Sequence, residues 1–380
     1  MDFILKKQLV LLLDTAVSLK GKLSIGAHGA GFPKKVASLK EVLLEENQNI
    51  NYTKAFSEEP IVRILPKTIE PKMHKKFSSI LNYMTRERFV LRMRGARVAF
   101  TECFVITPKG NVIEEINPLM GRGTSPIFYK SKMPPLRHYS GKVAVISNTN
   151  NYFHWMFETI PRILLLKKLK INPDYFVVGA NNSFKKESLR KMGLKESKII
   201  SASDEMHLFA DELIVPSFPI NSGNPTPMVC EFLRKTFLKP SVKSLSKKYE
   251  RVYISRGEAK ERKVVNEKEV IDYLSKRGFV SISMDGKSIE EQAKIFSSAK
   301  VIVAAHGAAL SNLVFCNKGA KVIEVFHPAY VNACFWALSN CMGLNHYYFL
   351  GEKTGVFDAA LNITLPIDKL GETLSLARVE

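Results

Sequence analysis

What the sequence lacks narrows the field first. Its 380 residues include five cysteines, Cys103, Cys230, Cys316, Cys334 and Cys341, an odd number with no C-x-x-C pair. That argues against a zinc ribbon or a disulfide scaffold and suits a reducing compartment, so a cytoplasmic protein is expected. No apolar run approaches the roughly 20 residues that a spanning helix needs. The run Leu9–Leu13 is stopped by Asp14 and is too short for a signal-peptide core. It reads as an N-terminal helix packed on a domain, with contact to a membrane surface as the alternative. No G-x-G-x-x-G follows an early strand with an acid about 20 residues on, which disfavours a nicotinamide-dependent dehydrogenase. No Asp-x-Asp, His-x-Glu-x-His-like or C-x-x-C spacing occurs, so a metal-dependent site has no local signature. Acidic side chains are also scarce: 36 Asp and Glu face 56 Lys and Arg, a net charge of +20. Residues 1–140 hold 23 of the basic and only 12 of the acidic residues. A field of that sign favours anionic partners: nucleic acid, acidic lipid or phosphorylated ligands.

What is present divides the chain. At about 100–200 residues per domain, two or three domains are expected. Ser24–Pro33 is glycine-rich, but Pro33, Lys34 and Lys35 follow where a phosphate loop would open into an apolar helix, so it reads as a turn. Arg97–Thr107 and Val112-Ile113 flank the turn residues Pro108–Asn111 and predict a hairpin. From Gly141 the pattern changes to alternation. Strands are expected at Val143–Ser147, Tyr175–Val178, Ile199-Ile200 and Glu212–Val215, with helices at Tyr152–Lys168, Ser183–Lys191 and Met228–Leu238. Pro240 to Lys248 reads as a hinge. A second block follows: strands Arg251–Ile254, Phe279–Ser283, Lys300–Ala304 and Val322–Phe326, with helices at Glu267–Lys276, Ser288–Ser298, from near Gly307, and Val331–Cys341. Two such blocks imply an α/β protein of two Rossmann-like domains with parallel sheets facing across a cleft. Residues 1–239 would form an acceptor-side domain with a β-rich first part, 240–365 a ligand-binding domain, and 366–380 a tail.

Four stretches carry chemistry. In Val301–Asn312 a β-branched strand ends in His306, Gly307, Ala308 and Ala309. Those small residues let a phosphate approach the free amides of a helix start, with His306 as a donor to an anionic oxygen; the rival is close packing alone. Strand Arg251–Ile254 delivers Arg256 onto a loop with Arg262, and a guanidinium fork suits a diphosphate. Glu324 lies inside the apolar run Val322–Phe326, where an unpaired carboxylate is costly. It either accepts from ribose hydroxyls or forms an ion pair. On the helix from Tyr152, His154, Glu158 and Arg162 recur at i, i+4 and i+8. The histidine–carboxylate pair can act as a base with its orienting partner, or His154 is a satisfied core residue. Pro161 is expected to kink or shorten that helix.

Taken as an ordered set, these stretches resemble glycosyltransferase family 61, the DUF563 group. The matching residues are Asn151-Tyr-Phe-His-Trp-Met-Phe-Glu158 with Pro161-Arg162, Tyr253-Ile-Ser-Arg256 with Arg262 and Asn266-Glu267, Ser288–Gln292, His306–Asn312 and Val322-Ile-Glu324. The resemblance spans roughly residues 140–330. It implies a GT-B fold, an inverting transfer from a nucleotide-sugar (UDP-linked by expectation) to a glycan or lipid-linked hydroxyl, and no obligatory metal or other cofactor. The family contains bacterial polysaccharide enzymes, and the lack of the signal anchor of eukaryotic members points to such a cytoplasmic, capsule-type enzyme. His154 and Glu158 would be catalytic, without settling which is the base. Arg256, Arg262, His306, Gly307, Ala308, Ala309, Asn312 and Glu324 would bind the donor. The basic N-terminal part adds the expectation of peripheral contact with an anionic membrane. Two rivals remain: a catalytically inactive relative that binds a nucleotide-sugar, and a basic nucleic-acid-binding protein. The second gives no role to the glycine turn or the His/Glu helix, so no nucleic-acid partner is expected.

Overall fold

The computed structural model describes residues 31–117, 125–238, 247–257, 259, 261–355 and 359–379. The N-terminal apolar run, nearly all of the glycine-rich turn and most of the expected hinge lie outside these residues. The fold is α/β and is built on two sheets.

The first has ten strands. Its parallel part runs Ile199–Ser201, Tyr175–Val178, Arg137–Ser147, His207–Pro216, as the alternation from Gly141 predicts. Beyond His207–Pro216 the sheet turns antiparallel, through Arg97–Ala99 and Phe104–Ile106 on one path and Arg88–Met93 and Ile50–Phe56 on another. The hairpin about Pro108 is present, pairing Ile106 with Val112, but the single strand expected over Arg97–Thr107 is instead Arg97–Ala99 folded back antiparallel on Phe104–Ile106.

The second sheet has six strands, all parallel, ordered Val280–Ser283, Arg251–Ser255, Val301–Ala305, Lys321–Phe326, Asn345–Leu350, Lys67–Thr68. Strand Val301–Ala305 is buried at every position, as expected of a parallel strand covered on both faces.

Three expectations change here. Residues 60–84, assigned by position to the N-terminal domain, cross over. Lys67–Thr68 joins the second sheet, and Phe77 packs with Phe326, Trp336 and Tyr348. A two-residue edge strand has no periodicity by which to announce itself. Residues 366–380, expected as a tail, form helix Ile367–Leu376, whose Leu370 and Leu374 are buried against that sheet. The helix from Tyr152 is broken into three pieces: an α turn Tyr152–His154, a π turn Trp155–Thr159, and an α-helix Arg162–Lys168. Proline has no N–H to bond the preceding turn; just before it, the Ile160 amide reaches back to the Trp155 carbonyl at 3.0 Å and widens the coil.

Between the sheets lies one continuous apolar cluster. It takes Ala144, Ile146 and Ile214 from the first, Ile254, Ile302 and Ala304 from the second, and Trp155, Phe157, Leu233 and Phe315 from the segments between.

Candidate functional site

In open α/β sheets, ligands settle beyond the carboxyl ends of strands at the point where strand order reverses. Each sheet here has such a point, and the residues singled out from sequence gather at the two.

In the first sheet the reversal lies between Arg137–Ser147 and His207–Pro216. A cavity of about 1070 Å³ opens there, lined by Ser147, Asn148 and Thr149 from one strand end, Ser217 and Phe218 from the other, and His154 and Glu158. Ser147 takes a left-handed conformation (φ 87°) beside a register shift, which turns the chain toward the cavity. Asn151 caps the next turn, its side-chain oxygen accepting from the Phe153 and His154 amides at 2.9 and 3.3 Å. His154 is thereby held with Nδ1 2.8 Å from Glu158 Oε1, the imidazole 41% exposed and the carboxylate 12%. Donating to the Glu158 carboxylate raises the His154 pKa above its ordinary 6.5, against the opposing effect of burial. Nδ1 faces the carboxylate, which leaves Nε2 for the cavity. Arg162 does not join this pair. Its guanidinium is buried over the Phe218 ring at 4.0 Å, and burial pushes its pKa down to about 10.

In the second sheet the reversal lies between Arg251–Ser255 and Val301–Ala305, and the next residues of these strands are Arg256 and His306. The Arg256 guanidinium rests directly on Gly307: a Cβ there would stand 1.7 Å from Nη1. Here glycine is required by close approach, since its backbone is extended (φ −179°). Nη1 donates to the His306 carbonyl at 3.3 Å and Nη2 to the Glu261 carbonyl at 2.6 Å. Ala308 and Ala309 follow, half-buried, but they open a 3-10 helix, Ala308–Phe315, instead of the α-helix expected. Arg262 sits with Cζ 5.2 Å from the Tyr330 ring, and the His306 ring is 5.6 Å from the same tyrosine.

His306 is held from below. Its Nδ1 lies 2.5 Å from Glu324 Oε1, and its ring stacks on Phe326 at 5.3 Å. The other Glu324 oxygen is 3.2 Å from His346 Nε2, while His346 Nδ1 meets Ser339 Oγ at 2.9 Å. Burial alone would raise the Glu324 pKa; the two imidazoles outweigh it and hold the carboxyl below its usual range. Of the two readings of Glu324, this placement is the paired one, with its oxygens facing two imidazoles. At 0% exposure it offers no oxygen to a ribose in this arrangement.

Asn312 is committed as well. Its Nδ2 donates to Gln292 Oε1 at 2.6 Å and the Ala309 carbonyl at 3.0 Å, and its Oδ1 accepts from Tyr152 OH at 2.9 Å. Expected as a donor contact, it instead ties the first segment to the second inside a buried network.

The two crevices approach one another at the start of helix Cys334–Met342. The Phe335 ring is 5.0 Å from His306 and 5.8 Å from Phe153, the neighbour of His154. Burial drives the adjacent Cys334 thiol well up, with the charge of Glu324, and to a lesser degree that of Glu158, adding to it. Phe335 therefore touches both sides.

Two side chains near these groups escaped the sequence reading. Tyr330 stands between Arg262 and His306. Lys185 is wholly buried, its Nζ donating to Asn148, Asn150 and Asn181 at 2.7, 2.9 and 2.9 Å. All three ammonium protons are thus satisfied by amide oxygens at the ends of two neighbouring strands. The asparagine cluster Asn148, Asn150 and Asn151 with Asn181-Asn182 was the available signal. Gly179 leaves room for this cage, for a Cβ there would lie 1.8 Å from Asn148 Oδ1.

Among the described residues, no group of three or more His, Cys, Asp or Glu is arranged to hold a metal ion, and no helix is long and apolar enough to cross a membrane. Comparison with known families matches residues 152–323 to the family described as Glycosyltransferase 61. No curated protein matches the chain.

Proposed function

Since the chain carries a glycosyltransferase 61 domain over residues 152–323, we propose that it moves a sugar, with inversion, from a nucleotide-sugar to an acceptor hydroxyl in polysaccharide assembly. The two sheets would be the two Rossmann-like units of a GT-B enzyme, with the acceptor at the first reversal and the donor, UDP-linked, at the second. The observation that carries this is the seating of Arg256 on Gly307 beside His306, at a strand-order reversal and one aromatic ring away from the segment of His154.

In this reading His154 Nε2 takes the proton of the acceptor hydroxyl while Glu158, on Nδ1, fixes the tautomer and stabilises the imidazolium that forms. The hydroxyl oxygen attacks the anomeric carbon from the face opposite the leaving group. The carbon–oxygen bond to the diphosphate breaks, and its electron pair departs on the phosphate oxygen. Arg256, Arg262, His306 Nε2 and the amides after Gly307 receive that charge. Preorganised donors of this kind contribute about 2.7–4 kcal/mol each in the transition state. Glu324 acts one step back, keeping His306 oriented. Two guanidiniums, an imidazole and backbone amides converging there oppose the charge of a leaving diphosphate, which supports a reaction without obligatory metal. Ala308 and Ala309 contribute bare backbone beside the phosphates.

A thermal-shift series with UDP-sugars and other nucleotide-sugars, run with and without chelator, tests the reading. Stabilisation by a UDP-sugar that persists in chelator is expected. Stabilisation only with a divalent metal overturns the metal-free mechanism; none with any nucleotide-sugar overturns donor binding itself.

A further inference from the structure

Residues 60–86 form a ribbon that begins and ends at the rim of the first cavity. Glu58 lines that cavity on the way in, and Arg86 and Glu87 line it on the way out. Between them Pro60–Val62 pairs antiparallel with Asn82–Met84. Side chains alternate along such a run, and here the alternation is inverted with respect to polarity. Arg63 is buried, its guanidinium 5.0 Å from the Tyr83 ring and 5.8 Å from that of Trp336, with Nη1 on the Ile80 carbonyl at 2.7 Å. Its neighbours Val62 and Ile64 point outward, 79% and 83% exposed, and Met84 on the partner strand is 55% exposed. These apolar side chains are held out by a rigid backbone. The Ile64 amide donates to Asn340 Oδ1 at 2.7 Å, and its carbonyl accepts from Trp336 Nε1 at 2.9 Å.

The surrounding charge is predominantly basic. From 60 to 86 the sequence holds six basic residues and a single acid, Glu70. Lys67, Lys72, Lys75, Lys76 and Arg86 are exposed, whereas Glu70 turns away to Lys369 at 3.1 Å and the Leu350 amide at 2.9 Å. A fixed apolar edge in a segment whose exposed lysines outnumber its acids, Glu58 and Glu59 lying at its entry, matches the boundary of a bilayer that carries negative headgroups.

We propose that this ribbon docks the protein on an anionic lipid surface, with Val62, Ile64 and Met84 entering the headgroup–acyl boundary and the flanking lysines on the headgroups. Both limbs lead from the apolar edge to the cavity rim, so docking brings the cavity mouth close to the bilayer. This docking does not depend on the sugar-transfer reading.

The test is sedimentation of the full chain with phosphatidylcholine vesicles, with and without phosphatidylglycerol, at low and high salt. Wild type is expected to sediment with the phosphatidylglycerol vesicles and to be released by salt. Val62→Asp with Ile64→Asp should lower partitioning about tenfold or more, and Lys75→Glu with Lys76→Glu at least about fivefold. Both positions are exposed, so thermal melting should be unchanged. Three results overturn the proposal: no sedimentation of wild type, sedimentation that survives the Val62/Ile64 variant, or a concentration-dependent dimer lost in that variant without any vesicle binding. The last would assign the edge to a second copy of the chain.

Discussion

At the reversal of the first sheet, the strand ends carry amides and hydroxyls around an imidazole–carboxylate pair that opens into a cavity of about 1070 Å³. At the reversal of the second, they carry a guanidinium already seated on bare backbone and an imidazole held from beneath by a wholly buried carboxylate. In the proposed reading the same topological position serves proton removal in one sheet and the receipt of negative charge in the other. Position in the fold says where a ligand goes; the side chains after each strand say what is done to it.

The comparison is broken most severely at His154. His154→Ala should lower transfer by about 10²–10⁴-fold while leaving donor affinity intact, read by initial rates alongside calorimetric titration of the donor; equal loss of donor binding would merge the two crevices into one. Gly307→Ala comes next. It forces Arg256 from its seat, and losing a charge-assisted contact worth about 1.5–3 kcal/mol should weaken nucleoside diphosphate binding by about ten- to a hundredfold. Combined with Arg256→Ala it should add little, since both remove one interaction.

A subtler change is expected from Glu158→Gln. Glu158 raises the His154 pKa, so in the wild type the imidazole is freed to act as a base only above its ordinary titration range. The acid limb of kcat/KM should therefore stand above pH 6.5 and move to lower pH in the variant, alongside a reduced plateau. An unmoved limb would deny His154 its role as the base. The smallest effect is expected from Tyr152→Phe, which deletes the bond to Asn312 and should cost about 1 kcal/mol in denaturant unfolding without altering the pH profile.

In the second sheet four of the six strands were legible as short, largely β-branched runs punctuated by glycine and polar turns, with Arg256 and His306 at strand ends; Asn345–Leu350, Lys67–Thr68 and the strand order were not. The roles of Glu324 and Asn312 were not legible. Sequence shows that a carboxylate or an amide lies near a site but not which way it turns, and both turn inward to partners far away in the chain, His346 and Tyr152. Lys185 has no local mark on its lysine-rich helix, because its partners Asn148, Asn150 and Asn181 lie outside that helix. The π turn before Pro161 was half foreseen: the proline predicted a break, but the break widens the coil while still pairing His154 with Glu158, and it sends Arg162 elsewhere.

The bond from Tyr152 to Asn312 bears on how such a protein would admit and release what it binds. Swinging the two sheets apart like the covers of a book would strip a buried amide of a partner and wet Phe153 and Phe335 together. The chain around Arg256 and Arg262 is tied instead within its own half, to the His306, Glu261 and Ala360 carbonyls, the Glu267 and Asn362 side chains and the face of Tyr330.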